Sequence, residues 1–189
     1  MSFLKLVASA ILAHCWLAAL CCAQSPVCIV KQNQVGPIAL GMTILEAKEL
    51  LPNATIQAPP ADGEKLYKVM RGKSELMHLY VAGGSDHKPA RISVIRVFDI
   101  ACATTAGARV GFSLPAVEKR YGKLTGLQMS ETESREFATF ERQPAWLALE
   151  VNGARGSAGE YAAGQRTTQK LAPGAKVLSY WVSNQPAAK

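Results

Sequence analysis

Gly41-Met42-Thr43-Ile44-Leu45-Glu46-Ala47-Lys48-Glu49-Leu50-Leu51-Pro52 aligns without a gap on Gly111-Phe112-Ser113-Leu114-Pro115-Ala116-Val117-Glu118-Lys119-Arg120-Tyr121-Gly122, 70 residues further on. Only the leading glycine is identical, but the chemistry agrees: glycine, large apolar, hydroxyl, aliphatic, helical pattern, breaker. Thr43 and Ser113 are suited to cap a helix, because their hydroxyls accept from a first-turn N–H. Glu46, three residues after Thr43, completes a capping-box spacing. Pro115 falls where a helix tolerates a missing N–H. Ile44, Ala47, Leu50 and Leu51 predict one apolar stripe, and Leu114, Val117 and Tyr121 another. Helices this short need packing to persist.

Working outward, three strand-like runs follow each helix. They are 65–70, 75–81 and 91–98, then 136–141, 145–151 and 177–182, rich in Val, Ile, Leu and aromatics. Ala145, Leu147, Leu149 and Val151 alternate with Trp146, Ala148 and Glu150, as a half-buried strand requires. The expected fold is therefore α+β: two tandem helix-plus-antiparallel-strand repeats, with the helices packed on one face of the sheet. The boundaries are 24–107 for the first repeat and 108–189 for the second, joined in one compact unit. Pro59-Pro60-Ala61-Asp62-Gly63 reads as a loop. The Gly/Ala-rich stretch 152–176 reads as a long loop, mobile or used for recognition.

The first 23 residues carry Lys5, an apolar run from Leu6 to Leu20, and Cys21-Cys22-Ala23. That order is a secretory signal, with cleavage expected before Gln24. The apolar run is short for a membrane-spanning helix, which needs about 20 residues. Lipidation at Cys21 or Cys22 is a weaker alternative, since neither follows a proper lipobox. The expected localisation is periplasmic or secreted. Removing one lysine takes the formal charge from +7 to +6. The basic residues are scattered singly, which speaks against nucleic acid as a partner and leaves a membrane surface or an acidic protein open. Cys15, Cys21 and Cys22 leave with the signal. Cys28 and Cys102 remain, and export favours a disulfide between them over two free thiols.

The Gly41-Met42-Thr43, Ala47, Leu51 pattern, with Gly111, Ser113, Val117 and Tyr121-Gly122, resembles the helix start of the outer-membrane assembly lipoprotein family SmpA/OmlA. It is also similar to the tandem-repeat β-lactamase inhibitor protein fold. Pro52 stands where that pattern has glycine, and Leu124 where it has proline. The resemblance implies an envelope protein that works by binding.

Candidate chemistry is sparse. His78 sits in a strand run and His87 beside Asp86 in a Gly-rich turn; a zinc site there would need carboxylates, so no metal is expected. No nucleophile-elbow glycines flank Ser85 or Ser157. Glu131, Glu133 and Glu136 lie in a polar stretch and read as a solvated hairpin tip. Phe137, Phe140, Trp146, Tyr180 and Trp181 read mostly as core. Asn53-Ala54-Thr55 matches a glycosylation sequon and is taken as chance.

No catalytic residue and no cofactor are expected. The functional expectation is a noncatalytic exported binding or envelope-assembly accessory protein, whose partner is another protein of the envelope or extracellular space. The alternatives are a proteinaceous inhibitor of a secreted hydrolase and an enzyme with an unrecognised site. Tyr161, the only aromatic residue of the long loop, is the candidate anchor, with Arg166 beside it and Trp146 as a second exposed aromatic.

Overall fold

The computed structural model describes residues 28–60, 65–85, 87–131 and 134–184. The expected signal sequence, its cleavage point before Gln24, the lipidation alternatives Cys21 and Cys22, Asp86 and Glu133 lie outside the described residues.

The chain is mostly β. In order it forms β1 (Cys28–Lys31), β2 (Gln34–Val35), β3 (Ile38–Ala39), α1 (Ile44–Leu50), β4 (Thr55–Gln57), β5 (Leu66–Arg71), β6 (Ser74–Ala82), β7 (Arg91–Val97), β8 (Cys102–Thr104), α2 (Leu114–Tyr121), β9 (Leu124–Met129), β10 (Glu136–Phe140), β11 (Leu147–Asn152), β12 (Thr167–Thr168) and β13 (Lys176–Ser183). A nine-stranded antiparallel sheet runs β12-β9-β10-β11-β13-β7-β6-β5-β4. A four-stranded sheet runs β3-β2-β1-β8, with β1 and β8 parallel.

This corrects the expected fold class. The helices number two among the described residues, of 7 and 8 residues, and they form no layer over the sheet in tandem repeats. The physical reason is visible in α1. Its expected stripe buries only Ala47, while Leu50 is 44% exposed and Leu45 69%. Helical spacing says which residues share a face, not that the face has something to pack on. α2 does bury Leu114, Val117 and Tyr121.

The two aligned segments share a local turn. Gly41 (φ +88°) and Gly111 (φ +85°) both take the left-handed conformation that glycine adopts at least cost. Gly41 N–H donates to Ile92 O and Gly111 N–H to Val177 O, so each turn is stitched to a strand of the large sheet. Thr43 then caps α1 with its full capping box, Glu46 N–H donating to Thr43 Oγ1 at 3.2 Å and Thr43 N–H to Glu46 Oε2 at 2.7 Å. Ser113 occupies the cap position of α2 without a side-chain cap bond.

Side-chain alternation gives the large sheet two unlike faces. Val69, Leu79, Ile95, Val182, Leu149 and Leu127 point to an inner face. They join one core with Val30, Val35, Ile38 and Cys102 of the small sheet and with the buried residues of α2. A disulfide joins Cys28 to Cys102, residues directly opposite in the β1–β8 register. It belongs to the chemistry of an oxidising, exported compartment. Among the described residues no helix is long and apolar enough to cross a membrane.

Candidate partner-binding face

The outer face of the large sheet carries the residues between those core positions. Register places Lys68, His78, Arg96, Trp181 and Ala148 in one row across five strands. The neighbouring row is Ser179, Glu150, Phe137, Gln128 and Thr167.

At the centre lies a buried carboxylate. Glu150, only 3% exposed, accepts from Arg96 Nη2 at 2.7 Å, from Ser179 Oγ at 2.5 Å and from Trp181 Nε1 at 2.9 Å. Arg96 Nε also donates to Ser179 Oγ at 3.1 Å. A buried ion pair persists when its remaining donors and acceptors are satisfied, and this network satisfies them. Above it the rings are fixed. The Arg96 guanidinium lies 4.6 Å from the Phe98 ring centroid and 4.9 Å from that of Trp181. Arg135 lies 4.9 Å from Trp181, and Tyr80 stacks on Trp181 at 5.4 Å. Phe137 meets Trp181 edge-on at 6.2 Å. Tyr80, Phe98, Phe137 and Trp181 all keep partial exposure. The result is a flat aromatic and guanidinium surface whose side chains are already immobilised.

His78 adjoins this cluster. It is buried, its ring edge-on to Phe98 at 4.7 Å and its Nε2 in contact with Glu75 Oε1. Burial holds its pKa below the ordinary histidine value despite the Glu75 carboxylate, with Arg96 and Lys68 adding to the depression. His78 Nδ1 has no hydrogen-bond partner.

The residues singled out from sequence fall elsewhere. The 152–176 stretch is an ordered arm, a correction to its reading as a loose loop. Tyr161 is half-buried, and its hydroxyl donates to Glu136 Oε1 at 2.5 Å. Burial, reinforced by the Glu136 carboxylate, pushes that phenol well above its usual pKa and keeps it a donor. Arg166 is exposed and lies 3.7 Å from Glu131. Trp146 is half-buried against the core at the start of β11, whereas the arm leaves the far end of that strand. Six residues of strand separate them, about 20 Å, so Trp146 and Tyr161 do not form one site. Glu136, read as part of a solvated tip, is 4% exposed and structural.

Sequence reasoning missed Arg96, Glu150 and Ser179. The usable signal was alternation: Ser179 and Trp181 interleave with buried Tyr180 and Val182, and Glu150 with Leu149 and Val151.

Nothing positive indicates catalysis. Among the described residues no three His, Cys, Asp or Glu side chains group to hold a metal ion. One open depression is lined by Glu118, Lys123, Glu141 and Arg142 beside α2, and another by Glu160, Tyr161, Thr168 and Lys170 beside the arm.

No family model matches the chain, and no curated protein matches it. Among solved structures it is similar to the crystal structure of the uncharacterized protein YfeY from Escherichia coli. The TM-score is 0.54 at 16% identity, over 82% of this chain and 99% of that one. At that identity the likeness speaks for a shared fold alone.

Proposed function

We propose that the mature protein is a noncatalytic binding protein of the bacterial envelope, resident in the periplasm, that docks an acidic protein surface on the outer face of its large sheet. The observation that carries this reading is the Glu150-centred cluster. A solvent-facing sheet surface has no folding need for four part-exposed rings locked over a buried ion pair. Such rings are what binding hot spots are made of, and their fixed rotamers lower the entropy lost on association.

Size and charge argue for a protein partner. Nine strands at about 4.8 Å spacing and about 20 Å of strand length give a face of roughly 850 Å². One partner's share of a standard interface is about 800 Å². The carboxylate of the cluster is consumed internally, so the face offers Lys68, Arg96 and Arg135 outward, on a chain of formal charge +7. Like charge disfavours a second copy as the occupant. The resemblance to the outer-membrane assembly lipoproteins agrees with such a role.

A photo-cross-linking amino acid at position 94, between Tyr80 and Ser183 in the register, tests it in the native envelope. The expected result is one dominant protein adduct that is absent when the probe sits at Lys48 on α1. Equal labelling from both positions, or none from position 94, overturns the proposal.

A further inference from the structure

The stretch after β11 is built as a hairpin arm. Ala154 N–H donates to Pro173 O at 3.2 Å, Ala172 N–H to Ala158 O at 2.8 Å, and Glu160 N–H to Lys170 O at 3.0 Å. The arm is fastened to the sheet twice. β12 pairs with β9, and Met129 N–H donates to Arg166 O at 2.9 Å. Glu136 accepts from Ala158 N–H at 2.5 Å, from Gly159 N–H at 2.7 Å and from the Tyr161 hydroxyl. Gly159 has to be glycine there, since a Cβ would meet Glu136 Oε1 at 2.9 Å and Thr168 Cγ2 at 2.6 Å.

Beyond this clamp the tip is bare. Ala162, Ala163, Gly164, Gln165 and Arg166 are all exposed, in a turn closed by Gln165 N–H donating to Ala162 O. The arm's exposed charges are Arg155, Arg166 and Lys170 against Glu160 alone. Thr167 continues the outer-face row through Gln128 to Phe137, so the arm forms the rim of the aromatic face.

We infer that this arm is a preformed recognition element: Glu136 holds it rigid, and its small-residue tip with Arg166 seats in an acidic cleft of the protein docked on the outer face. The inference rests on the proposed binding role and adds a second contact to it. Small side chains suit insertion into a narrow cleft, and a clamped backbone loses little freedom on binding. Glu136 is a positioning residue, acting on the partner only through the arm.

Cross-linking in the native envelope from two positions of the full chain, Ala163 on the tip and Val94 on the outer face, separates the possibilities. The expected result is adducts with the same protein, the peptide linked at 163 carrying Asp or Glu. Glu136→Gln weakens a charged hydrogen-bond set, so the 163 adduct should fall about tenfold while the 94 adduct persists. If that variant fails to fold, Tyr161→Phe removes one donor and should lower the 163 adduct alone. An adduct from 94 without one from 163 overturns the arm and leaves the face standing. No adduct from either overturns both. A 163 adduct indifferent to Glu136→Gln and Tyr161→Phe overturns the positioning role. Binding to phosphatidylglycerol vesicles that Arg166→Glu abolishes, with no protein adduct, overturns it in favour of a membrane surface.

Discussion

Glu150→Ala removes the acceptor on which the outer face is assembled. The variant leaves the Arg96 guanidinium, whose side chain is 12% exposed, without its counter-charge, and strips Ser179 and Trp181 of their acceptor. Breaking a buried pair on one side costs about 3–5 kcal/mol. Arg96 sits at a sheet surface where water reaches its edge, which favours the lower end, about 3 kcal/mol. For a chain of this size each kcal/mol moves Tm by about 2–4 °C, so the expected loss is roughly 6–12 °C. Urea titration of the oxidised protein, followed by far-UV circular dichroism and Trp fluorescence, reads the same loss as a lower midpoint at unchanged slope. Arg96→Met with Glu150→Leu, which removes both charges and refills the volume, should recover most of it. A loss under about 1 kcal/mol for Glu150→Ala, the range of a solvated surface pair, would refute the idea of a locked platform.

Three further outcomes are expected. Cys28→Ala with Cys102→Ala opens a loop with sequence separation 74 and should cost about 4 kcal/mol by chain entropy, read as a urea midpoint. The folded-state pKa of His78 is depressed by burial, so its contribution is complete above the unfolded value of 6.5 and is lost as pH falls from there through the folded pKa; His78→Gln should flatten that part of a urea-midpoint profile. Gly159→Ala forces a Cβ against Glu136 and Thr168 and should cost about 1–3 kcal/mol, with hydrogen exchange accelerating first in residues 158–172.

Sequence reached the middle scale of this molecule. Alternation in Leu147–Asn152 and Lys176–Ser183 marks strands buried on one face, and Thr43 with Glu46 marks a helix start. Larger and smaller scales were hidden for separate reasons. The helices were given too much of the architecture, because spacing in α1 could not reveal that Leu45 and Leu50 face solvent. Strands β2, β3 and β12 are two residues long, too short for a period to register. The arm has no periodicity because its order comes from Glu136, more than twenty positions earlier. The Arg96–Glu150 pair joins residues 54 apart and exists only once β13 has set the register between β7 and β11. The Cys28–Cys102 bridge was legible because counting cysteines in an exported chain leaves so few ways to pair them.

The most direct measurement is a titration of the protein cross-linked from position 94, purified, against the wild-type chain and against Tyr80→Ser. Tyr80 stacks on Trp181 at the centre of the outer face, and truncating a central aromatic costs at least about 2 kcal/mol of binding, close to thirtyfold in Kd. The expected result is that weakening with the folded state intact by circular dichroism. Equal affinity for the two chains would contradict a binding role for the outer face of the sheet.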